Sequence, residues 1–439
     1  MYYYSTNKQI KGKKFKDVLF EGLAPDGGLY MPENFPSLNN KFLADLANKS
    51  FGEIALEVGK LFIDDIPEKD LKEIIDDAFS PDAFIDCGEG FPAPLVKISD
   101  NIYVEELWHG PTMAFKDFGA RFMSRAMGYF LRQTKKELKI IVATSGDTGS
   151  AVAAGFYNVP NIKVYILYPS GKVSDLQEKQ LTTFGGNITA VEVNGAFDDC
   201  QKLAKQILGD KELNGKGEFS SANSINFGRL LPQMFYYIFG FAQLVKKGIK
   251  DVNFCVPSGN FGNLTAGLIA KRIGLPIGMF IAATNINDVV PEYLHTGVYK
   301  PRPSQKTMSN SMDVGNPSNF ARMLDLYENN AKLMVKDIIG ISVTEEETSR
   351  TIGNVYEKVG YLLDTHSAVA VKAAQESGID DVIISLSTAH PVKFKDAIEP
   401  IIGKKIEIPG KLKEIINKQK KALFIENNLE ELKNILRKN

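Results

Sequence analysis

The sequence predicts an α/β protein built on mainly parallel sheet, and three observations carry this. From about residue 100 onward, short apolar runs alternate with stretches of helical periodicity, the pattern of strands joined by crossover helices. Twice such a run ends in a small-residue turn that opens a helix: TSGDTG at 144–149 and SGNFGN at 258–263. At 439 residues, 44% of them hydrophobic, the chain can bury the cores of two or three domains of roughly 100–200 residues each.

The first hundred residues differ from the rest. They hold short helical patterns at 41–47, 54–61 and 68–78, with Pro/Gly turns such as 24–28, and predict an N-terminal extension packed on the α/β body. Strands follow at 139–144 (KIIVAT), 161–168 (NIKVYILY) and 188–193. Ser174 with Gln177 has the spacing of a capping box that opens a helix between the last two. A helix is expected over 197–208, then a long apolar one over 228–247. The alternation resumes with a strand at 251–257, a helix at 264–273, and strands at 278–283 and 382–387. Thr344 and Glu347 form a second capping box. The Lys-rich end after Lys411 predicts one or two surface helices. No repeat of fixed period and no low-complexity tract interrupts this order.

Several function classes lose support at once. A net charge of -1 gives no global electrostatic case for nucleic acid or an anionic membrane. Cys87, Cys200 and Cys255 show no paired spacing, which argues against a disulfide scaffold and for a reducing cytoplasm. Residues 1–16 lack the apolar core of a signal peptide. The most apolar stretch, 234–245, is too short to span a bilayer and contains Gln243. The histidines at 109, 295, 366 and 390 are scattered, without a metal motif. There is no G-x-S-x-G elbow and no dinucleotide fingerprint.

Five segments carry chemistry. In HGPTMAFKDFGAR (109–121), Lys116 sits between Phe115 and Phe118 near a helix start. Burial there favours the free amine that Schiff-base chemistry needs, although spacing alone equally fits a helix lysine among core aromatics. TSGDTG turns small residues toward a helix N-terminus, a site for carboxylate or phosphate or simply a strand-to-helix turn. SGNFGN allows close backbone approach at Gly259 and Gly262, with Asn260 and Asn263 as donors. It is a phosphate cradle without the Gly-Lys-Ser/Thr of a P-loop. SANSINFGR (221–229) brings Asn223, Ser224, Asn226 and Arg229 together, and Arg229 offers a planar fork to an anion. STAHPVKF (387–394) puts hydroxyls at a strand end, where α/β ligands lie, or where a helix cap is needed. Together the segments make an inventory for a phosphorylated aldehyde cofactor and an anionic amino-acid substrate.

With these motifs in this order, nearly the whole chain resembles the threonine synthase family, in its bacterial and fungal form. GLAPDGGLYMP (22–32) looks like that family's N-terminal signature. The resemblance implies pyridoxal 5'-phosphate as cofactor, with Lys116 as its Schiff-base residue. Gly259, Asn260, Phe261, Gly262 and Asn263 would hold the cofactor phosphate, and Thr388 would face the pyridine nitrogen. Asn223, Ser224 and Arg229 match the substrate-phosphate segment. The implied reaction is O-phospho-L-homoserine plus water giving L-threonine plus phosphate. A related phospholyase releasing a 2-oxo acid would share every motif.

The resemblance also implies the cofactor-enzyme fold known as type II, with two three-layer α/β domains. The expected division is an extension at 1–98, a smaller domain at 99–235 carrying Lys116, and a larger one at 236–439. No long regulatory extension like that of the plant enzymes is expected. One position departs from the wider fold, which often has Asn where this chain has Asp147. A carboxylate would repel the cofactor's phenolate unless protonated or turned away. The TSGDTG backbone, Thr144 and Ser145 are therefore assigned to the substrate carboxylate.

Overall fold

The apolar runs of the sequence become the inner strands of two parallel sheets. The structure, a computed structural model, describes residues 1–132, 134, 136–214 and 218–438. Its strands are β1 (Tyr3–Ser5), β2 (Tyr30–Pro32), β3 (Leu95–Lys97), β4 (Ile102–Glu106), β5 (Leu138–Ala143), β6 (Ile162–Pro169), β7 (Ile188–Asn194), β8 (Phe219–Ser221), β9 (Val252–Pro257), β10 (Ile277–Thr284), β11 (Ile338–Ser342), β12 (Val382–Ser387) and β13 (Leu423–Glu426). One sheet has the order β11-β10-β9-β12-β4-β3, and the other β13-β7-β6-β5-β8. Every pairing in them is parallel except β3 with β4. The inner strands β5, β9 and β12 are buried almost throughout, as expected where helices cover both faces.

All six strands read from the sequence are present, with ends shifted by a residue at most. The helices at 197–208 and 264–273 are there as Phe197–Gly209 and Gly262–Arg272. Thr344 and Glu347 form the complete capping box, whereas the Ser174 hydroxyl accepts from the Gln177 backbone amide while the Gln177 side chain donates to Asp147 instead of closing a box. The helix expected over 228–247 is instead two, Phe227–Leu230 and Gln233–Lys246. Pro232 stands between them and has no N–H to give an unbroken helix. The chain end also differs from its expectation: helices Gly410–Ile416 and Leu429–Lys438 flank β13, which extends the five-stranded sheet.

The extension is fixed by aromatic packing. Ser50 and Glu53 form a capping box on helix Phe51–Phe62, whose apolar face buries Ile54, Ala55, Val58 and Phe62. At its start, Phe51 meets Phe79, Phe118, Phe235 and Phe239 at ring-centroid distances of 5.0–6.3 Å. Burying one such ring contributes about 2–3 kcal/mol, so the extension is bolted to helices Lys116–Leu131 and Gln233–Lys246. The strands do not follow the expected boundaries at 98 and 235. β4 lies inside 99–235 yet pairs with β12, and β13 lies beyond 235 yet pairs with β7. Periodicity reports which face of a strand is buried and is silent on its neighbour. Among the described residues, no helix is long and apolar enough to cross a membrane.

Candidate active site

β5, β9 and β12 each end at one cleft, the usual ligand position in an open α/β sheet. It encloses about 1130 Å3 and is lined by the twelve residues assigned to cofactor or substrate: Lys116, Thr144, Ser145, Asn223, Ser224, Arg229, Gly259, Asn260, Phe261, Gly262, Asn263 and Thr388. Asn226, named beside them, does not line it and donates to the Leu19 and Ser221 carbonyls.

Lys116 is the first residue of helix Lys116–Leu131. The turn before it is closed by Asp117, which accepts from the Thr112 amide at 2.9 Å and the Thr112 hydroxyl at 2.7 Å. The Phe115 amide donates to the Thr388 carbonyl at 2.9 Å, and Ala114 bridges Ala389. Two segments far apart in sequence thus hold Lys116 beside Thr388. Phe118 packs inward against Phe79, Phe84 and Tyr236. Phe115 stays with the amine, its ring centroid 5.4 Å from Nζ. Burial lowers the Lys116 pKa; Asp147 works against this, while Lys393 and Arg229 add to it.

The TSGDTG turn is built around the Thr144 hydroxyl, which accepts from the amides of Gly146 at 3.0 Å and Gly149 at 2.8 Å. That hydroxyl is spent on the turn. Gly146 has φ 148°, and a Cβ there would lie 2.6 Å from the Gln177 amide nitrogen. Ser145 is half-buried on the cleft wall with its hydroxyl uncommitted. Behind it starts helix Asp147–Phe156, whose first residues Asp147 and Thr148 line the cleft, which places the positive end of its dipole there.

Asp147 has its charge taken up by cations, which removes the repulsion expected of a bare carboxylate. Its Oδ1 lies 2.6 Å from the Lys393 ammonium and accepts from Gln177 at 2.8 Å, and its Oδ2 is 3.8 Å from Lys116 Nζ. Burial alone would raise its pKa, but Lys393 and Lys116 outweigh that and hold it well below the usual carboxylate range.

On the opposite wall, Phe261 adopts φ 59° to cap helix Gly262–Arg272. A Cβ on Gly259 would lie 2.7 Å from the Ser311 carbonyl oxygen, so only glycine fits. Asn260 accepts from the Ser318 amide at 2.7 Å and donates to the Ser224 hydroxyl at 3.2 Å. The Asn263 carbonyl oxygen takes the hydroxyls of Tyr236 and Tyr237 at 2.6 and 2.8 Å, which leaves its Nδ2 buried without an acceptor. The Arg229 guanidinium donates to the carbonyl of Ala222 at 2.5 Å and reaches that of Lys116 at 3.5 Å, and its Nε has no partner. Buried donors without acceptors are costly; both residues line the cleft, and Arg229 Nε itself packs against Gly119.

The Asn223 side chain is committed elsewhere. It donates to the Ala143 carbonyl at 2.8 Å and accepts from the Ala143 amide at 3.3 Å, clamping the end of β5. Residues missed in the sequence are Gln177, Lys393 and His366. The last lines the cleft with Nδ1 3.0 Å from Asp364, and its Nε2 accepts from the Ser311 amide at 3.2 Å. Lys393 was visible inside STAHPVKF, but nothing in its spacing indicates an inward direction.

The comparisons with known proteins agree with this geometry. The model of the pyridoxal-phosphate dependent enzymes matches residues 89–388. Those of the threonine synthase N terminus and C-terminal regions match 2–79 and 367–436. A threonine synthase of Haemophilus influenzae is 44% identical over 400 residues, covering 91% of this chain and 90% of that protein. The crystal structure of threonine synthase from Escherichia coli aligns with a TM-score of 0.91 at 38% identity over 100% of both chains. A PLP-bound threonine synthase from Brucella melitensis aligns with a TM-score of 0.92 at 36% identity, over 100% of this chain and 99% of that one.

Proposed function

The chain belongs to the threonine synthase family of pyridoxal-phosphate-dependent enzymes, and on that premise we propose that it converts O-phospho-L-homoserine and water to L-threonine and phosphate. One convergence carries the reading: a lysine amine biased toward its neutral form shares a cleft with the tight loop of Gly259–Asn263 and with Arg229. The residues fit the cofactor. Asn263 Nδ2 and the first amides of helix Gly262–Arg272 suit its phosphate, Lys116 its aldehyde carbon, and the Thr388 hydroxyl its ring nitrogen. When bound, the cofactor supplies the electron sink for carbanion chemistry.

The protein's own groups do the rest. Ser145 and the first amides of helix Asp147–Phe156 take the substrate carboxylate. Thr144 shapes that turn from within, and Asn223 holds it to β5. Arg229 and the Ser224 hydroxyl receive the substrate phosphate. Lys116 removes the proton at Cα and serves again at Cβ, where water adds after the γ-phosphate has left. Thr388 carries no charge, so it does not hold the ring nitrogen protonated as a carboxylate would.

We also assign the division of labour between the sheets: the five-stranded one presents the carboxylate turn and the six-stranded one the cofactor-phosphate loop. A reducing cytoplasm suits the three buried free cysteines.

The test is product analysis with cofactor and O-phosphohomoserine. Threonine and phosphate are expected in equal amounts; 2-oxobutyrate in place of threonine would make the protein a phospholyase. Borohydride should fix the cofactor on Lys116. Lys116→Ala should lose turnover and the visible band together, and retention of either would dismiss the assignment.

A further inference from the structure

Lys393 does not line the cleft, yet it is the nearest cation to the one carboxylate that faces Lys116. Its side chain has no exposed surface. Its ammonium lies 2.6 Å from Asp147 Oδ1 and donates to the Thr112 carbonyl at 2.9 Å. Lys116 meets the other oxygen of the same carboxylate at 3.8 Å. One anion is shared unequally between two lysines, and the closer one is sealed away from substrate.

This arrangement is expensive if it serves only packing. A buried ion pair gives up favourable hydration, a cost that an apolar pair of similar volume does not incur. Asp147 without Lys393 would have Lys116 as its only cation, and an opposite charge at that range favours the ammonium form. The other charged or titratable groups near the pair are Arg229, Asp117, Arg121 beyond it, and His390, whose pKa burial pushes down to about 4 so that it stays neutral. Asp117 is already bonded to Thr112, and Arg229 to backbone carbonyls. None of them neutralises Asp147.

We propose that Lys393 is a positioning residue for the reaction: by taking up the charge of Asp147, it leaves Lys116 free to shed its proton and bond the cofactor aldehyde. It also ties together three pieces of the site. Thr112 belongs to the turn before Lys116, Asp147 to a helix start, and Lys393 to the segment after Thr388. The importance of this charge balance for catalysis rests on Lys116 being the cofactor lysine, but the balance itself belongs to the protein alone.

The two halves of the pair therefore act on Lys116 in opposite directions. Lys393→Met raises the Lys116 pKa, Asp147→Asn lowers it, and the double variant falls between them. The measurement is acylation of Lys116 in cofactor-free protein across a pH series, read by peptide mass spectrometry against an exposed lysine. At about pH 8, Lys393→Met should slow Lys116 labelling about tenfold, the change that one pKa unit produces. Asp147→Asn should speed it, and the double variant should return toward the wild-type profile. In the cofactor-loaded proteins, the pH midpoint of the visible band serves as a second readout.

Labelling shifts in the same direction for both single variants, or none for either, would overturn the proposal. If Lys393→Met does not fold, Asp147→Asn and the double variant still decide. Slower labelling in Asp147→Asn, or a double variant labelled faster than Asp147→Asn, would equally overturn it. These outcomes are independent of the borohydride result, so an error about the cofactor lysine and an error about Lys393 are told apart.

Discussion

Arg229 donates to two backbone carbonyls and still presents an Nε with no acceptor. Burial lowers its pKa to about 10, which leaves it cationic at neutral pH. Arg229→Ala should therefore reduce kcat/KM for O-phosphohomoserine by about 10–100-fold, the worth of a charge-assisted contact. Cofactor retention should change little; equal loss of both would place Arg229 in the cofactor site or the scaffold. At this scale the sequence was good at naming residue types and poor at spending them. It put Thr144, Asn223 and Arg229 on the cleft, but the first two use their polar atoms to hold the backbone. A hydroxyl or amide is legible as a donor; the partner that takes it depends on a fold several angstroms away. Lys393 was harder still, since a lysine reads as surface until a buried carboxylate is found to claim it.

Among the elements, β4 was the least legible. Its sequence IYVEE ends in two glutamates, which argue against a buried strand. Yet Glu105 is fully buried, both its oxygens lack partners, and burial raises its pKa well above the ordinary carboxyl value. Gly240 on helix Gln233–Lys246 makes room for it: a Cβ there would sit 2.8 Å from the carboxyl oxygens. The folded protein keeps a proton that the unfolded chain releases near pH 4.3. Stability from this group is thus complete below that pH and is lost as pH rises toward the folded value. Relative to Glu105→Gln, the wild type should lose about 1 kcal/mol per pH unit as pH rises above the unfolded carboxyl's titration range. Urea unfolding at several pH values measures this, and parallel curves for the two proteins would refute it. The strands that could be read, such as β5, β9 and β12, are mostly apolar and carry no buried carboxyl. The broken helix at Pro232 was legible in principle, because the proline was in view.

Across the whole molecule, the cleft mouth carries more exposed positive than negative charge, three lysines against Asp198. Lys172 and Lys205 stand on the rim formed by the five-stranded sheet's loops and helices, and Lys306 stands on the opposite rim. All three are exposed, and among the described residues none is in an ion pair. A dianionic substrate should be steered inward by them. Replacing the three with glutamine should lower kcat/KM several-fold at low salt and flatten its decline with ionic strength, with kcat changed less. An unaltered salt profile would count against steering. Fold class and cleft membership were readable because they depend on local pattern and turn chemistry. Strand order was not, because β4 and β13 find neighbours across most of the chain.

β13 has a consequence for synthesis as well as for shape. It covers the outer edge of β7, but a ribosome makes it only after every strand of the six-stranded sheet. Until then the nascent chain carries an open row of backbone donors and acceptors on β7, a ready template for a stray strand from another molecule. The same late strand that completes the sheet sets how long the newborn polypeptide is exposed to aggregation.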